Sequence, residues 1–252
     1  MQRFHLSVQN FLLAALSPED HALISSHLLQ VELERGRLLY DPGDPIETVY
    51  FPHDGVISLM TLMENGAAIE SATIGREGAL GLMAAVSPRQ SLSRAIVQTP
   101  CRAARLSAAQ LHEAWERSPR IRELVDRHTE ALFGHAIQSV ACNALHSVEA
   151  RFCRWLLTCH DRISNDTVAL TQEFLADMLG VQRTTVTAVA RSLQAKGVIR
   201  YRRGVVDIID RAGLQALTCE CYGVIRDTYQ RLLGPAASSR SERRGDRFVG
   251  GQ

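Results

Sequence analysis

The stretch Thr171-Gln172-Glu173-Phe174-Leu175-Ala176-Asp177-Met178-Leu179-Gly180-Val181-Gln182-Arg183-Thr184-Thr185-Val186-Thr187-Ala188-Val189-Ala190-Arg191-Ser192-Leu193 decides how this chain is read. Thr171 can cap a helix with its side-chain oxygen, and Glu173 falls in the first turn, where the helix dipole favours a negative charge. Phe174, Leu175, Met178 and Leu179 recur at helical spacing and form one apolar stripe. Gly180, free to take a positive φ, ends that helix. A second helix begins after a short turn, with Val186, Val189, Ala190 and Leu193 facing inward and Gln182, Arg183, Thr184 and Thr187 facing outward. Two helices joined by a glycine turn, with the small Ala176 where they cross, make a helix-turn-helix, whose second helix fits a DNA major groove. Arg183 then reaches guanine with two hydrogen bonds, and Gln182 reaches a base edge or phosphate. Thr184 and Thr187 suit phosphates or a thymine methyl, and Thr171 and Gln172, which open the supporting helix, are candidate DNA contacts as well. The same residues also fit an ordinary helical hairpin in a protein core.

The residues beyond Leu193 favour DNA. Gly197-Val198-Ile199-Arg200-Tyr201-Arg202-Arg203-Gly204-Val205-Val206-Asp207-Ile208-Ile209-Asp210 is a pair of β-branched runs around a basic turn, the pattern of a hairpin. Arg183, Arg191, Lys196, Arg200, Arg202, Arg203 and Arg211 are opposed only by Asp207 and Asp210, whereas the whole chain carries a net charge of +1. Positive charge is concentrated on one hairpin beside one helix, and Arg202 and Arg203 at its tip are placed to meet phosphates.

Residues Thr171 to Asp210 resemble the winged helix of Crp/Fnr-type bacterial transcription regulators. Upstream, Asn143-Ala144-Leu145-His146-Ser147-Val148-Glu149-Ala150-Arg151-Phe152 is similar to that family's hinge and first DNA-domain helix. The resemblance implies an α+β chain: an N-terminal, jelly-roll-like β-roll of the cyclic-nucleotide-binding type over 1–116, a dimerisation helix and hinge over 117–146, and a winged helix-turn-helix over 147–235. Residues 236–252, rich in Ser, Arg and Gly, read as a disordered tail. It further implies a homodimer on pseudo-palindromic double-stranded DNA, with RNA polymerase as a partner of such regulators. The best-known members carry Arg-Glu and a further arginine on the recognition helix. Here the matching positions are Arg183, Thr184 and Ala188, so a different operator is expected.

The N-terminal half has its own texture. Leu6 to His27 reads as helical, with a fresh start at Ser17-Pro18-Glu19-Asp20. From Val31 short β-type runs alternate with turns at Arg35-Gly36, Pro42-Gly43-Asp44, His53-Asp54-Gly55 and Asn65-Gly66. Val49–Phe51, Val56–Met60 and Ala67–Glu70 are the clearest strands. Ser118-Pro119 opens a long helix carrying Ile121, Leu124, Val125, Leu132, Phe133, Ile137, Val140 and Leu145. His128, His135 and Asn143 interrupt its apolar repeat. A helix of that length invites pairing with a second copy.

In cyclic-AMP-binding relatives a Gly-Glu turn and a later Arg-Ser pair hold the ribose and phosphate. This chain offers Gly75-Arg76-Glu77-Gly78 and Ser93-Arg94-Ala95. Arg76 intrudes between glycine and glutamate, and the pair is reversed, so cyclic AMP is not the expected ligand. Arg76, Glu77 and Arg94 remain candidates for another small anion or for structural ion pairs. No cofactor is identified. The first ninety residues lack cysteine, which excludes the usual cysteine-rich loop of an iron–sulfur sensor. His53 and His112 as haem ligands read more naturally as structural histidines. Cys219-x-Cys221 lacks matched partners in the sequence, so no metal site is expected, and Cys153 and Cys159 read as core residues of one helix.

Hydrophobic content of 46% and charged content of 22% are those of a soluble globular protein, with no signal peptide and no bilayer-length apolar run. Scattered thiols fit a reducing cytoplasm. No triad spacing, Walker motif or nucleophile elbow points to an enzyme. The reading from sequence is a cytoplasmic DNA-binding regulator. The alternative is a ligand-binding or protein-interaction module whose winged helix no longer binds DNA.

Overall fold

The computed structural model describes residues 10–163, 165–202 and 204–233. Two short helices come first, α1 (Phe11–Ala14) and α2 (Pro18–Ser25). They fall within the helical reading of Leu6 to His27, with the second start at Ser17-Pro18 as expected; residues 1–9 lie outside the described part. The break has a cause in capping. Asn10 accepts from the N–H groups of Leu12 and Leu13, while Ser17 accepts from Asp20 with Pro18 just behind it, so each helix has its own start.

Seven strands come next: β1 (Leu29–Leu33), β2 (Leu38–Tyr40), β3 (Thr48–Pro52), β4 (Val56–Leu62), β5 (Ala68–Ile74), β6 (Arg94–Thr99) and β7 (Cys101–Ser107). They form two antiparallel sheets, ordered β2-β6-β4-β5 and β1-β7-β3, which pack as the expected β-roll. β3, β4 and β5 are the strands legible in the sequence. β6 and β7 are not, because small and arginine residues such as Ala103, Ala104 and Arg105 stand in place of the aromatic and β-branched residues that mark strands. Ala103 and Ala104 are fully buried.

Ser107 and Gln110 form a capping box at the start of α3 (Ala108–Arg117). Ser118 then caps α4 (Pro119–Leu145), a helix of 27 residues. Its inner face buries Ile121, Val125, His128, Ala131, His135, Ser139 and Cys142 at three- and four-residue intervals. The histidines therefore do not interrupt an outward repeat; they belong to the inward one. The outer face of the second half is apolar, with Phe133, Ile137, Val140 and Leu145 all more than half exposed.

His128 ties α4 to the roll. Its Nε2 accepts from the Ala79 N–H at 3.1 Å, and a side chain on Gly78 would come within 2.8 Å of that nitrogen. Burial pushes the His128 pKa down to about 4. A histidine held neutral binds a proton more readily unfolded than folded, so its contribution is complete above about pH 6.5 and is lost as the pH falls toward 4. Stability is thus expected to drop by about 1.4 kcal/mol per pH unit from this group across that window. In His128→Gln, which retains an acceptor for Ala79, denaturant titrations at a series of pH values should show a shallower acid slope. An unchanged slope would contradict the assignment.

The C-terminal part comprises α5 (Val148–His160), β8 (Thr167–Ala169), α6 (Gln172–Leu179), α7 (Arg183–Ala195), β9 (Ile199–Arg202), β10 (Val205–Ile208), α8 (Arg211–Leu217) and α9 (Cys221–Leu233). Its core gathers Phe152, Trp155, Leu156, Leu175, Val186 and Leu193, with Cys153 and Cys159 on the buried face of α5 as expected. α9 turns back and packs along α4.

The two halves also meet directly. Trp155 donates its indole N–H to the Glu70 carboxylate at 3.0 Å, and Ser58 donates to the same group at 2.6 Å. Complete burial pushes the Glu70 pKa up, against these hydrogen bonds. Arg162, at the end of α5, donates to both Glu77 and Thr73 of the roll.

Candidate nucleic-acid interface

The helix-turn-helix forms from local signals. Thr171 accepts from the Phe174 N–H at 3.2 Å and caps α6. Gly180 ends α6 with φ 60°, a left-handed backbone that a β-branched residue could not adopt without strain. A Cβ on Gly180 would lie 3.1 Å from the Ile69 side chain, so the turn rests against the β4–β5 hairpin. From the other side, the Arg151 guanidinium donates to the Leu179 and Asn143 carbonyls, holding the ends of α6 and α4 together.

α7 presents the polar edge. Gln182, Arg183 and Thr184 are exposed, and Thr187 is half-buried. Gln182 occupies the N-cap without using its side chain as a cap, which leaves its amide directed elsewhere. The Thr187 hydroxyl donates to the Arg183 carbonyl at 3.0 Å. Helical periodicity sets Thr184, Thr187 and Arg191 nearly in line, and Arg191 is exposed. Arg191 therefore extends the candidate edge by one turn; sequence reasoning counts it as basic but does not single it out. Thr171 is exposed at the start of α6, and Gln172 beside it is half-buried.

The wing is a three-stranded sheet in the order β8-β10-β9, not a bare hairpin. β8 pairs Val168 with Val206, and the Leu170 N–H donates to the Gly204 carbonyl at 2.6 Å. Arg202 is exposed and donates to Asp207 across the hairpin at 3.3 Å. Arg203 lies outside the described residues.

The structure thins the positive charge read from the sequence. Lys196 pairs with Glu149, Arg202 with Asp207, and Arg211 with Asp161. Among the described residues, Arg183, Arg191 and Arg200 are the members of that basic group outside any ion pair. The field is thus focused on the α7 edge and the outer strand β9.

The candidate ligand residues separate. Arg94 is held by Asp41, with Nε to Oδ1 at 2.6 Å. Glu77 accepts from the buried Arg162, and the Arg76 guanidinium lies over the Phe11 ring at 5.3 Å. The expected trio of Arg76, Glu77 and Arg94 therefore does not converge on one pocket; sequence proximity to a motif suggests Arg94, and Asp41 draws it away. Arg76 and Glu77 do share a cavity of about 650 Å³ between the roll and the C-terminal part, with Arg162, Arg211 and Tyr222 on its wall. Gly75 makes this junction, since a Cβ there would lie 2.3 Å from Arg162.

Comparison with known proteins agrees with both halves. Residues 30–118 match the family model of the cyclic nucleotide-binding domain, and residues 150–217 match the Crp-like helix-turn-helix domain. The global nitrogen regulator of Nostoc sp. is 24% identical over 185 residues, covering 69% of this chain and 82% of that protein. The crystal structure of FixK2 from Bradyrhizobium japonicum superposes with a TM-score of 0.65 at 17% identity, over 76% of this chain and 98% of that one. A regulator of the Crp/Fnr family from Eubacterium rectale superposes with a TM-score of 0.64 at 19% identity, over 83% and 99% of the two chains.

Proposed function

Because this chain belongs to the Crp/Fnr family of DNA-binding transcription regulators, we propose that it works as a cytoplasmic homodimer reading a two-fold operator through α7. The observation that carries this is the exposed Gln182–Thr184 edge, in which Arg183, like Arg191 further along α7, forms no ion pair among the described residues. Arg183 is assigned to a base, by the bidentate geometry that guanidinium offers to guanine. Gln182, Thr184 and Thr187 line the same groove edge, while Thr171, Gln172, Arg202 and Arg203 are assigned to the phosphate backbone. The partner copy is assigned to the apolar outer face of α4, because Phe133, Ile137 and Val140 recur at helical spacing and no other part of the described chain covers them. RNA polymerase is the further partner such a dimer meets at a promoter. No described helix is long and apolar enough to cross a membrane.

A signal, on this reading, enters at the cavity shared by Arg76 and Glu77. Its arginines favour an anionic compound, and a ligand there touches both halves of the chain at once. It can act only by binding one docking of the DNA-binding part more tightly than another.

Two substitutions test the interface together. Arg183→Ala should weaken binding to a selected operator by roughly 1–3 kcal/mol and relax one base position. Arg202→Ala should weaken operator and random duplex alike and flatten the salt dependence of binding. Titrations of both variants against both duplexes at several salt concentrations decide it. Wild-type curves from both would refute the assigned surface.

A further inference from the structure

Four metal-ligating side chains converge at the junction between the long helix and the last helix. Cys142 and His146 lie one turn apart at the C-terminal end of α4. Cys219 and Cys221 flank the start of α9. The sulfur atoms and a histidine nitrogen from these residues all lie within 4.8 Å of one another. The three cysteines are buried and His146 is half-buried. The Cys142 and Cys219 sulfurs are 3.6 Å apart, too far for a disulfide, and the Cys221 sulfur is 3.5 Å from His146 Nδ1.

Those two spacings are what a tetrahedral ion imposes. With zinc–sulfur bonds of about 2.3 Å and zinc–nitrogen bonds of about 2.0–2.1 Å, the ligand atoms should stand about 3.8 Å apart for two sulfurs and about 3.5–3.6 Å for sulfur and nitrogen. The surroundings fit as well. Glu220, between the two cysteines, lies 3.2 Å from His146 Nε2 and orients the ring so that Nδ1 faces the thiols. Gln138, one turn before Cys142, donates its amide N–H to the Cys221 sulfur at 3.0 Å. Three thiolates, one imidazole and a divalent ion carry a net charge of −1. Arg151 and Arg154, both buried on the adjoining α5, each leave Nε without a partner and form no ion pair among the described residues. A site of one negative charge adds counter-charge beside these cations.

We propose that Cys142, His146, Cys219 and Cys221 form a closed zinc site that fastens the end of α4 to the start of α9. Binding replaces the three thiol protons, which pass to solvent, with one ion. The donor set of three thiolates and one imidazole selects zinc over the oxygen-preferring cations, and four protein ligands leave no open position for catalysis. The site is hidden in the sequence, because the two ligand pairs are 77 residues apart between Cys142 and Cys219. The consequence is mechanical: the ion joins the helix proposed to pair two copies to the part that carries α7.

The full-length reduced protein tests this without DNA. Elemental analysis should return one zinc per chain. After chelation, cobalt(II) titration should give the thiolate charge-transfer band and the visible bands of a tetrahedral ion, saturating at one equivalent. All six cysteines are buried, so the readout is the change on chelation: peptide mapping should show alkylation rising at Cys142, Cys219 and Cys221 when zinc is removed and unchanged at the other three. Cys142→Ser and Cys219→Ser should lose the cobalt spectrum, whereas Cys101→Ser, within the β-roll, should retain it. The alkylation pattern of the wild-type protein decides the matter even where a variant fails to fold. A folded, reduced protein that binds neither ion would overturn the proposal, as would a zinc-dependent change in alkylation confined to other cysteines. Loss of DNA binding with the metal retained would count against the proposed function and leave the zinc site standing.

Discussion

Ile137→Glu is expected to turn the proposed dimer into a folded monomer and to weaken binding to a full operator by roughly 100-fold or more. Ile137 sits in the middle of the outer stripe of α4 and is 55% exposed in the single chain, so the substitution removes little from the chain's own core. Phe133, one turn before it, is 67% exposed, and Val140, one turn after it, is 72% exposed. Side chains of this kind left in water cost free energy that a second α4 recovers by covering them. In a two-fold interface each residue near the axis meets its own equivalent, so one glutamate introduces two carboxylates into an apolar seam. The loss on DNA follows from linkage, not from any altered contact. A monomer keeps α7 intact but binds one half-site, and the second half-site no longer benefits from tethering. Sedimentation with wild-type circular dichroism, followed by titration of full and half operators, separates the terms. A variant that stays dimeric would place the partner elsewhere.

Glu77→Ala should destabilise the protein by about 3–5 kcal/mol. The Arg162 side chain is only 5% exposed, and Glu77 is its carboxylate partner. Thr73 supplies a hydroxyl and a carbonyl to the same guanidinium, but neither carries charge. Removing Glu77 therefore leaves a largely buried cation without its charged partner. Pairs of this kind are costly to break from one side and cheap to replace from both. Glu77→Ala combined with Arg162→Met should consequently lose far less than Glu77→Ala alone. Denaturant unfolding of the three variants measures the difference. Equal losses for the single and double variants would show that Arg162 is satisfied without its partner. Because the pair spans the roll and the DNA-binding part, the single variant should also free the helix-turn-helix from its rest on Ile69, which hydrogen exchange at the α6–α7 turn would report.

The sequence is most legible where its signals are local. Thr171, Gly180 and the apolar period of α6 and α7 act within one or two turns of themselves, and each does in the fold what its chemistry implies. α4 is equally plain at its start, where Ser118 and Pro119 set the cap. Its two-sidedness is hidden, because His128 and His135 look polar on a helical wheel and are buried neutral in the fold. Contacts across the chain are not legible at all. Glu77 stands out as a motif residue, yet the partner it meets is 85 residues away. The same motif picks out Arg94, which pairs with Asp41. β8 escapes notice because three residues carry too short an alternation to read, and only pairing with β10 makes them a strand. The four ligands of the proposed zinc site belong to this class also: two pairs, each ordinary alone, joined by the return of α9 along α4.

Two copies of the α7 edge acting on one duplex leave a signature in the DNA they retain. Purified full-length protein, offered a random duplex pool, should enrich an inverted repeat whose half-sites are centred about one helical turn apart, about 34–36 Å. Arg183→Ala should abolish that enrichment. Recovery of no sequence preference, or of a single unrepeated site unaffected by Arg183→Ala, would contradict a two-fold reading through α7.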